Sequence, residues 1–144
     1  MDARVSTTGR RIMGRLPKGQ DLLESLTAIC VREQITLGEV RAIGAVTKAR
    51  LGFYDQERQV YEYLDFDQPL EIVTLMGNIS LKDGRPFVHA HVTLADHQGR
   101  CFGGHLVEGA PVFACEFVVK EYRSETAFAR GLDIPTGLAL WPSA

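Results

Sequence analysis

From residue 39 onward the chain breaks into short runs rich in β-branched and aromatic residues, over positions 40–51, 52–54, 60–66, 70–81, 87–95, 100–106 and 112–122. Short polar links separate them. Asp55-Gln-Glu-Arg-Gln is short enough for a hairpin, which makes its flanking strands antiparallel neighbours. A further strand is expected over residues 10–16, followed by Pro17-Lys-Gly-Gln as a turn. One amphipathic helix is expected over residues 21–33, because Leu22, Leu23, Leu26, Ile29 and Cys30 fall on one helical face. Asp21 and Glu24 suit the positive end of its dipole. Many hairpin-linked strands and a single helix predict an α/β chain of the α+β kind, a mainly antiparallel β-sheet with one principal α-helix packed on it. Beyond Glu121, the residues Gly131, Pro135, Gly137 and Pro142 predict an irregular tail apart from a short helical turn near Phe128. Leu138, Leu140 and Trp141 are apolar enough to dock on the body or on a neighbouring subunit.

A length of 144 residues suits one domain over residues 1–144, with a short N-terminal arm and the irregular C-terminal tail. No apolar run approaches the roughly 20 residues that span a bilayer, and the first ten residues lack the apolar core of a secretory signal. A cytoplasmic protein with no membrane partner is expected. Cys30, Cys101 and Cys115 are odd in number and lack a C-x-x-C spacing, so each is read as a small core side chain rather than part of a disulfide or zinc knot. The net charge of −2 means that any DNA contact needs a local basic patch, since nonspecific affinity comes from Lys and Arg neutralising phosphates. Arg10, Arg11 and Arg15 could supply one. A charge-protected edge strand accounts for them as well.

All four histidines lie within the stretch from His89 to His105. In a strand, His89, His91 and Thr93 point one way while Val88, Ala90, Val92 and Leu94 point the other, toward the core. Asp96-His97-Gln98-Gly99 fits a type I turn followed by a left-handed glycine, which pairs Asp96 with Arg100 and sets His91 across from His105. A simple two-residue turn would put Ala90 there instead, and a one-residue slip would turn His105 to the opposite face. In the favoured register three imidazoles converge, and neutral imidazole is the commonest protein ligand for zinc and related ions. The candidate metal ligands are therefore His89, His91 and His105, with a divalent ion, zinc first, as the cofactor. Polar residues on a solvated sheet face are the plainer alternative. His97, at the turn tip, is read as a solvated loop residue, and Gly103 and Gly104 leave room beside the site. Glu71 could orient a histidine through its second ring nitrogen, or else be a strand-end carboxylate in water.

Leu16-Pro-Lys-Gly-Gln-Asp-Leu-Leu-Glu-Ser-Leu, Gly38-Glu-Val-Arg-Ala-Ile-Gly-Ala-Val, Phe53-Tyr-Asp, Leu70-Glu-Ile-Val-Thr-Leu-Met-Gly-Asn-Ile-Ser, Pro86-Phe-Val-His-Ala-His-Val-Thr-Leu-Ala-Asp and Gly103-Gly-His-Leu follow one another in that order. Together these segments resemble the PPC domain, the plants-and-prokaryotes conserved domain also called DUF296, in its prokaryotic single-domain form. The resemblance implies a largely antiparallel sheet with one principal helix, a homotrimer, and a metal site, usually zinc, at the positions of His89, His91 and His105. Plant members carry AT-hook motifs before the domain, whereas Arg-Gly-Arg-Pro does not occur here and Gln68-Pro-Leu-Glu-Ile-Val keeps the Glu at Glu71 but loses the Gly-Arg-Phe of the plant Gly-Arg-Phe-Glu-Ile-Leu.

Two functions suit these residues. One is a trimeric metal-binding PPC-type module, DNA-binding or regulatory, with DNA or a protein as partner. The other is a small metalloenzyme using the three histidines for hydrolytic or Lewis-acid chemistry, with Glu71 or Glu108 as acid/base. The ion could instead be purely structural.

Overall fold

The structure, a computed structural model, describes residues 5–141. The opening residues read above for a signal begin outside that span, and Pro142 lies outside it too. The elements run β1 (Thr7–Leu16), α1 (Leu22–Arg32), β2 (Gly38–Val46), β3 (Ala49–Asp55), β4 (Val60–Phe66), β5 (Leu70–Lys82), β6 (Arg85–Ala95), β7 (Cys101–Leu106), β8 (Val112–Arg123), β9 (Gly131–Asp133) and β10 (Leu138–Leu140). Eight strands form one sheet in the order β1-β8-β2-β5-β6-β7-β3-β4, with every pairing antiparallel, and β9 and β10 form a separate hairpin. The expected architecture is present.

Asp21 starts the helix. Its Oδ1 accepts from the N–H groups of Leu23 and Glu24, which would otherwise lack partners, and its Oδ2 accepts from Gly109 and Ala110 at 2.8 and 3.0 Å. One carboxylate thus caps α1 and ties it to the segment leading into β8. Leu22, Leu26, Ile29 and Cys30 turn inward, and the sheet answers with Leu75, Ile79, Val88, Ala90, Val92, Leu94, Val40 and Val119, all in one buried cluster. Between β5 and β6, Asp83 and Gly84 both adopt positive φ, 51° and 74°, the Asp-Gly geometry of a type I′ hairpin turn.

Three expectations need correction. The run over 40–51 is not one strand: it breaks at Thr47 and Lys48, so that β2 lies between β8 and β5 while β3 lies between β7 and β4. Thr47 N–H donates to Pro111 O at 2.9 Å, so its backbone is held by another segment there. No helical turn forms near Phe128. Instead Leu81 N–H donates to Phe128 O and Arg130 N–H donates to Leu81 O, both at 2.8 Å, which stretches residues 128–130 along the end of β5. Cys30 and Cys115 are buried as expected, but Cys101 is exposed, because it shares the outward side of β7 with Gly103 and His105.

Candidate metal centre

The face of the sheet away from α1 carries the candidate site. Directly paired residues on antiparallel strands share a face, and the pairings trace one row across all eight strands: Met13, Val118, Arg41, Met76, His91, His105, Gly52 and Tyr63. His89 stands one step along β6 on the same side, opposite Asn78. The turn before β7 sets this register as expected. Gly99 has φ 76°, its N–H donates to Asp96 O at 2.9 Å, and Asp96 N–H donates to Arg100 O at 3.0 Å. Buried Asp96 closes the turn from within. Its Oδ1 accepts from the N–H groups of Gln98 and Arg100, and its Oδ2 from the Arg100 guanidinium at 2.7 Å. Burial works to raise the Asp96 pKa, but these hydrogen bonds and the Arg100 charge outweigh it and hold the carboxyl below its ordinary value.

The three rings form a nearly equilateral triangle, with centroids 5.4 Å apart for His89 and His91, 5.0 Å for His89 and His105, and 5.3 Å for His91 and His105. A tetrahedral ion with Zn–N bonds of about 2.0–2.1 Å sets imidazole centroids about 5.2 Å apart. The backbone therefore places the rings at the spacing such an ion needs. One potential ligand atom from each ring lies within 4.8 Å of the others, wider than the about 3.3 Å of a tetrahedral site, and the terminal torsion that turns each ring is soft.

His105 gives a second test of fit. Its Nδ1 is buried and has no hydrogen-bond partner, a costly condition that a metal ion relieves. Burial pushes the pKa of His89 and of His105 down to about 4, helped for His89 by Arg130, His105 and His91, and for His105 by His91 and Arg130. Both rings are thus neutral at neutral pH, the form that ligates. The residues present fit a divalent metal.

Two neighbours of the site escaped the sequence reading. Arg130, from the segment along β5, brings Nη2 to 3.3 Å from His89 Nδ1, while its Nε donates to Ser80 Oγ at 2.9 Å and Nη1 to Ala139 O at 3.0 Å. Tyr61, on β4, sets its ring 5.3 Å from that of His105. Neither had a local signal, since both arrive through pairings distant in sequence. The tail then continues to the β3–β4 hairpin, where Tyr54 donates to Thr136 O at 2.7 Å and Gln59 to Pro135 O at 3.0 Å. It forms a wall beside the histidines, and Trp141 packs edge-on against Phe128 at 5.2 Å.

Other candidates fall elsewhere. Glu71 is exposed and pairs with Ala95, four positions along β6 from His91, roughly 13 Å away at strand spacing, so it does not orient a ligand. Glu108 lines a cavity of about 420 Å³ that His105 also lines. His97 is exposed at the turn and stands outside the cluster. Arg10, Arg11 and Arg15 lie on β1, an edge strand, and Arg10 is spent on Glu121 at 3.0 Å and on Glu33 O at 2.6 Å. Among the described residues, no helix is long and apolar enough to cross a membrane.

A profile of the Plants and Prokaryotes Conserved (PCC) domain matches residues 3–123. The crystal structure of AF0104 from Archaeoglobus fulgidus, described as a metal-containing protein, superposes with a TM-score of 0.93 at 40% identity, covering 99% of this chain and 100% of that one. A plant- and prokaryote-conserved (PPC) protein of Pyrococcus horikoshii gives 0.93 at 36% identity, over 100% of this chain and 99% of that one. A protein of Ralstonia eutropha JMP134, described as a candidate DNA-binding protein, gives 0.80 at 26% identity, over 92% and 90%. The bifunctional protein GlmU of Synechococcus sp. (strain JA-3-3Ab) is 36% identical over 124 residues, 85% of this chain, and the chain spans only 19% of that protein's length.

Proposed function

The chain belongs to the Plants and Prokaryotes Conserved domain family, and from that premise we propose that it is a metal-binding PPC-type module that assembles as a homotrimer. His89, His91 and His105 hold a divalent ion, zinc by the chemistry of an all-imidazole set. The observation that carries this reading is the buried, partnerless Nδ1 of His105 beside two further imidazoles at the spacing of a tetrahedral site. The metal-containing Archaeoglobus relative supports it. Three protein ligands leave one coordination position for an exogenous ligand, where an ion polarises a bound oxygen.

Association of copies is supported by the outward face itself. Met13, Ile43 and Met76 stand there 72%, 57% and 62% exposed, more apolar surface than a solitary sheet face needs. The Ralstonia relative supports a DNA partner by its description. The geometry supports the metal more strongly, since Arg10 of the N-terminal arginines is held by Glu121 and the chain's net charge is −2.

Metal analysis of the purified protein alongside its mass in solution tests the reading. About one ion per chain and the mass of three chains are expected. His91→Ala should lose the ion, an effect larger than the roughly 10–100-fold affinity loss that removal of a supporting partner causes. A protein that retains no divalent metal when zinc is supplied rejects the metal site, and a monomeric mass rejects the trimer. The metalloenzyme reading keeps one observation in its favour, the shared cavity wall of Glu108 and His105. It requires a metal-dependent turnover that Glu108→Gln abolishes.

A further inference from the structure

Three imidazoles bring no negative charge to a divalent ion, and the nearest charged neighbour, Arg130, adds a cation. Among the described residues Arg130 makes no ion pair. Its recorded partners are the Ser80 hydroxyl, the Ala139 carbonyl and the His89 ring, and its guanidinium lies over the Phe87 and Trp141 rings at 5.4 and 5.8 Å. Burial lowers its pKa, with no carboxylate opposing the shift. The acid in the same cross-strand row as His89, Glu39, lies two strands away and faces Lys120. A half-buried cation beside a cationic metal is a pair of charges awaiting an anion.

The contact between Arg130 and His89 shows how the donor becomes available. A guanidinium can only donate, so His89 Nδ1 holds its lone pair and the ring proton sits on Nε2. An ion bound through Nε2 moves that proton to Nδ1, where an N–H then faces the guanidinium. An ion bound through Nδ1 takes the guanidinium's place. By either route, loading the metal frees Arg130 Nη2 from His89, and the long side chain can then turn its fork toward another acceptor near the site. The cavity of about 420 Å³ that reaches His105 is also walled by Phe87, whose ring carries Arg130. A molecule of a few heavy atoms in that cavity meets His105 and the Phe87 ring on which Arg130 lies.

The geometry points to a small planar carboxylate as the ligand of this site, with one oxygen on the metal and the other on the Arg130 fork. This rests on the metal reading above and adds the chemical class of what completes it. Arg130 is then a binding residue contributed by the tail.

Cobalt(II) in place of the native ion makes the fourth ligand visible by absorption, and acetate is the probe, titrated at constant ionic strength with acetamide as its uncharged isostere. Acetate should produce a saturable spectral change that acetamide does not. Arg130→Gln should weaken the acetate midpoint about tenfold or more at unchanged cobalt content, and Arg130→Lys should not restore it. Equal responses to acetate and acetamide, no saturable change with acetate, or an unaltered midpoint in Arg130→Gln would each overturn the proposal. Should Arg130→Gln fail to fold, the acetate and acetamide comparison on the native sequence still decides. Failure of the protein to take up cobalt is a separate outcome, because it removes the metal site itself.

Discussion

The two walls of the histidine site are built by opposite means. One is the β6–β7 hairpin, where four turn residues set the pairing and thereby bring His91 across from His105. The other is the tail, in which Arg130 meets residues 41 and 50 positions away and Pro135 and Thr136 accept hydrogen bonds from residues 76 and 82 positions away. The first wall is a continuous ladder inside the main sheet. The second is a short hairpin joined to the body by side chains and by a brief pairing with Leu81. The contrast separates two kinds of placement: the ladder sets the three imidazoles, and a more loosely held segment brings Arg130 beside them.

The most direct way to break the first wall is Gly99→Ala. A Cβ at Gly99 would meet nothing within 4 Å, so the substitution acts only through φ 76°, which an L side chain adopts at a cost of about 1–2 kcal/mol. Urea denaturation should show that loss, and Gly99→Asn should recover part of it because Asn tolerates the left-handed region. A neutral alanine variant would mean that the turn does not set the register.

The second wall has its own reporter, because Trp141 is the chain's single tryptophan. Its emission should change at lower denaturant than the far-ultraviolet circular dichroism of the sheet, since the tail can release without unpairing the eight strands. Coincident transitions would show that both walls unfold as one unit and would erase the contrast. Metal loading should leave the order of the two transitions intact while moving the sheet transition upward, because an ion that binds only the folded hairpin stabilises it.

The same contrast governs what could be read from the sequence. Alternation of apolar and polar residues exposed the sheet, and the bounds expected for residues 60–66 coincide with β4. The His91 and His105 pairing was legible because it depends on a turn adjacent to both strands. The break at Thr47 and Lys48 was not, since neither residue is the Gly or Pro that marks a turn, and the chain leaves the sheet there because Pro111 holds its backbone. Arg130 was invisible for a similar reason: an aperiodic segment gives no register, and its partners Ser80 and His89 sit on strands far back in sequence. Glu71 stayed open between two readings because a carboxylate at a strand start has no local sign of how far along the sheet the site lies, and the structure leaves it in solvent as a strand-end residue.

The smallest expected effect sharpens how the turn is held. Asp96 accepts two backbone N–H groups on Oδ1 and the Arg100 guanidinium on Oδ2, so Asp96→Asn keeps an acceptor for the backbone and loses the charge that Arg100 faces. Because the folded-state pKa of Asp96 lies below its ordinary value, its contribution is fully present above the usual carboxylate range and is lost as pH falls through the folded pKa. The stability difference between the native sequence and Asp96→Asn should therefore be constant from neutral pH down to about pH 5 and shrink toward zero in stronger acid. High salt should reduce it only modestly at neutral pH, since the carboxylate side of the pair is buried even though Arg100 is exposed. A difference that persists unchanged at the acid end would assign Asp96 a role through shape and backbone hydrogen bonding alone, and the register would then owe nothing to its charge.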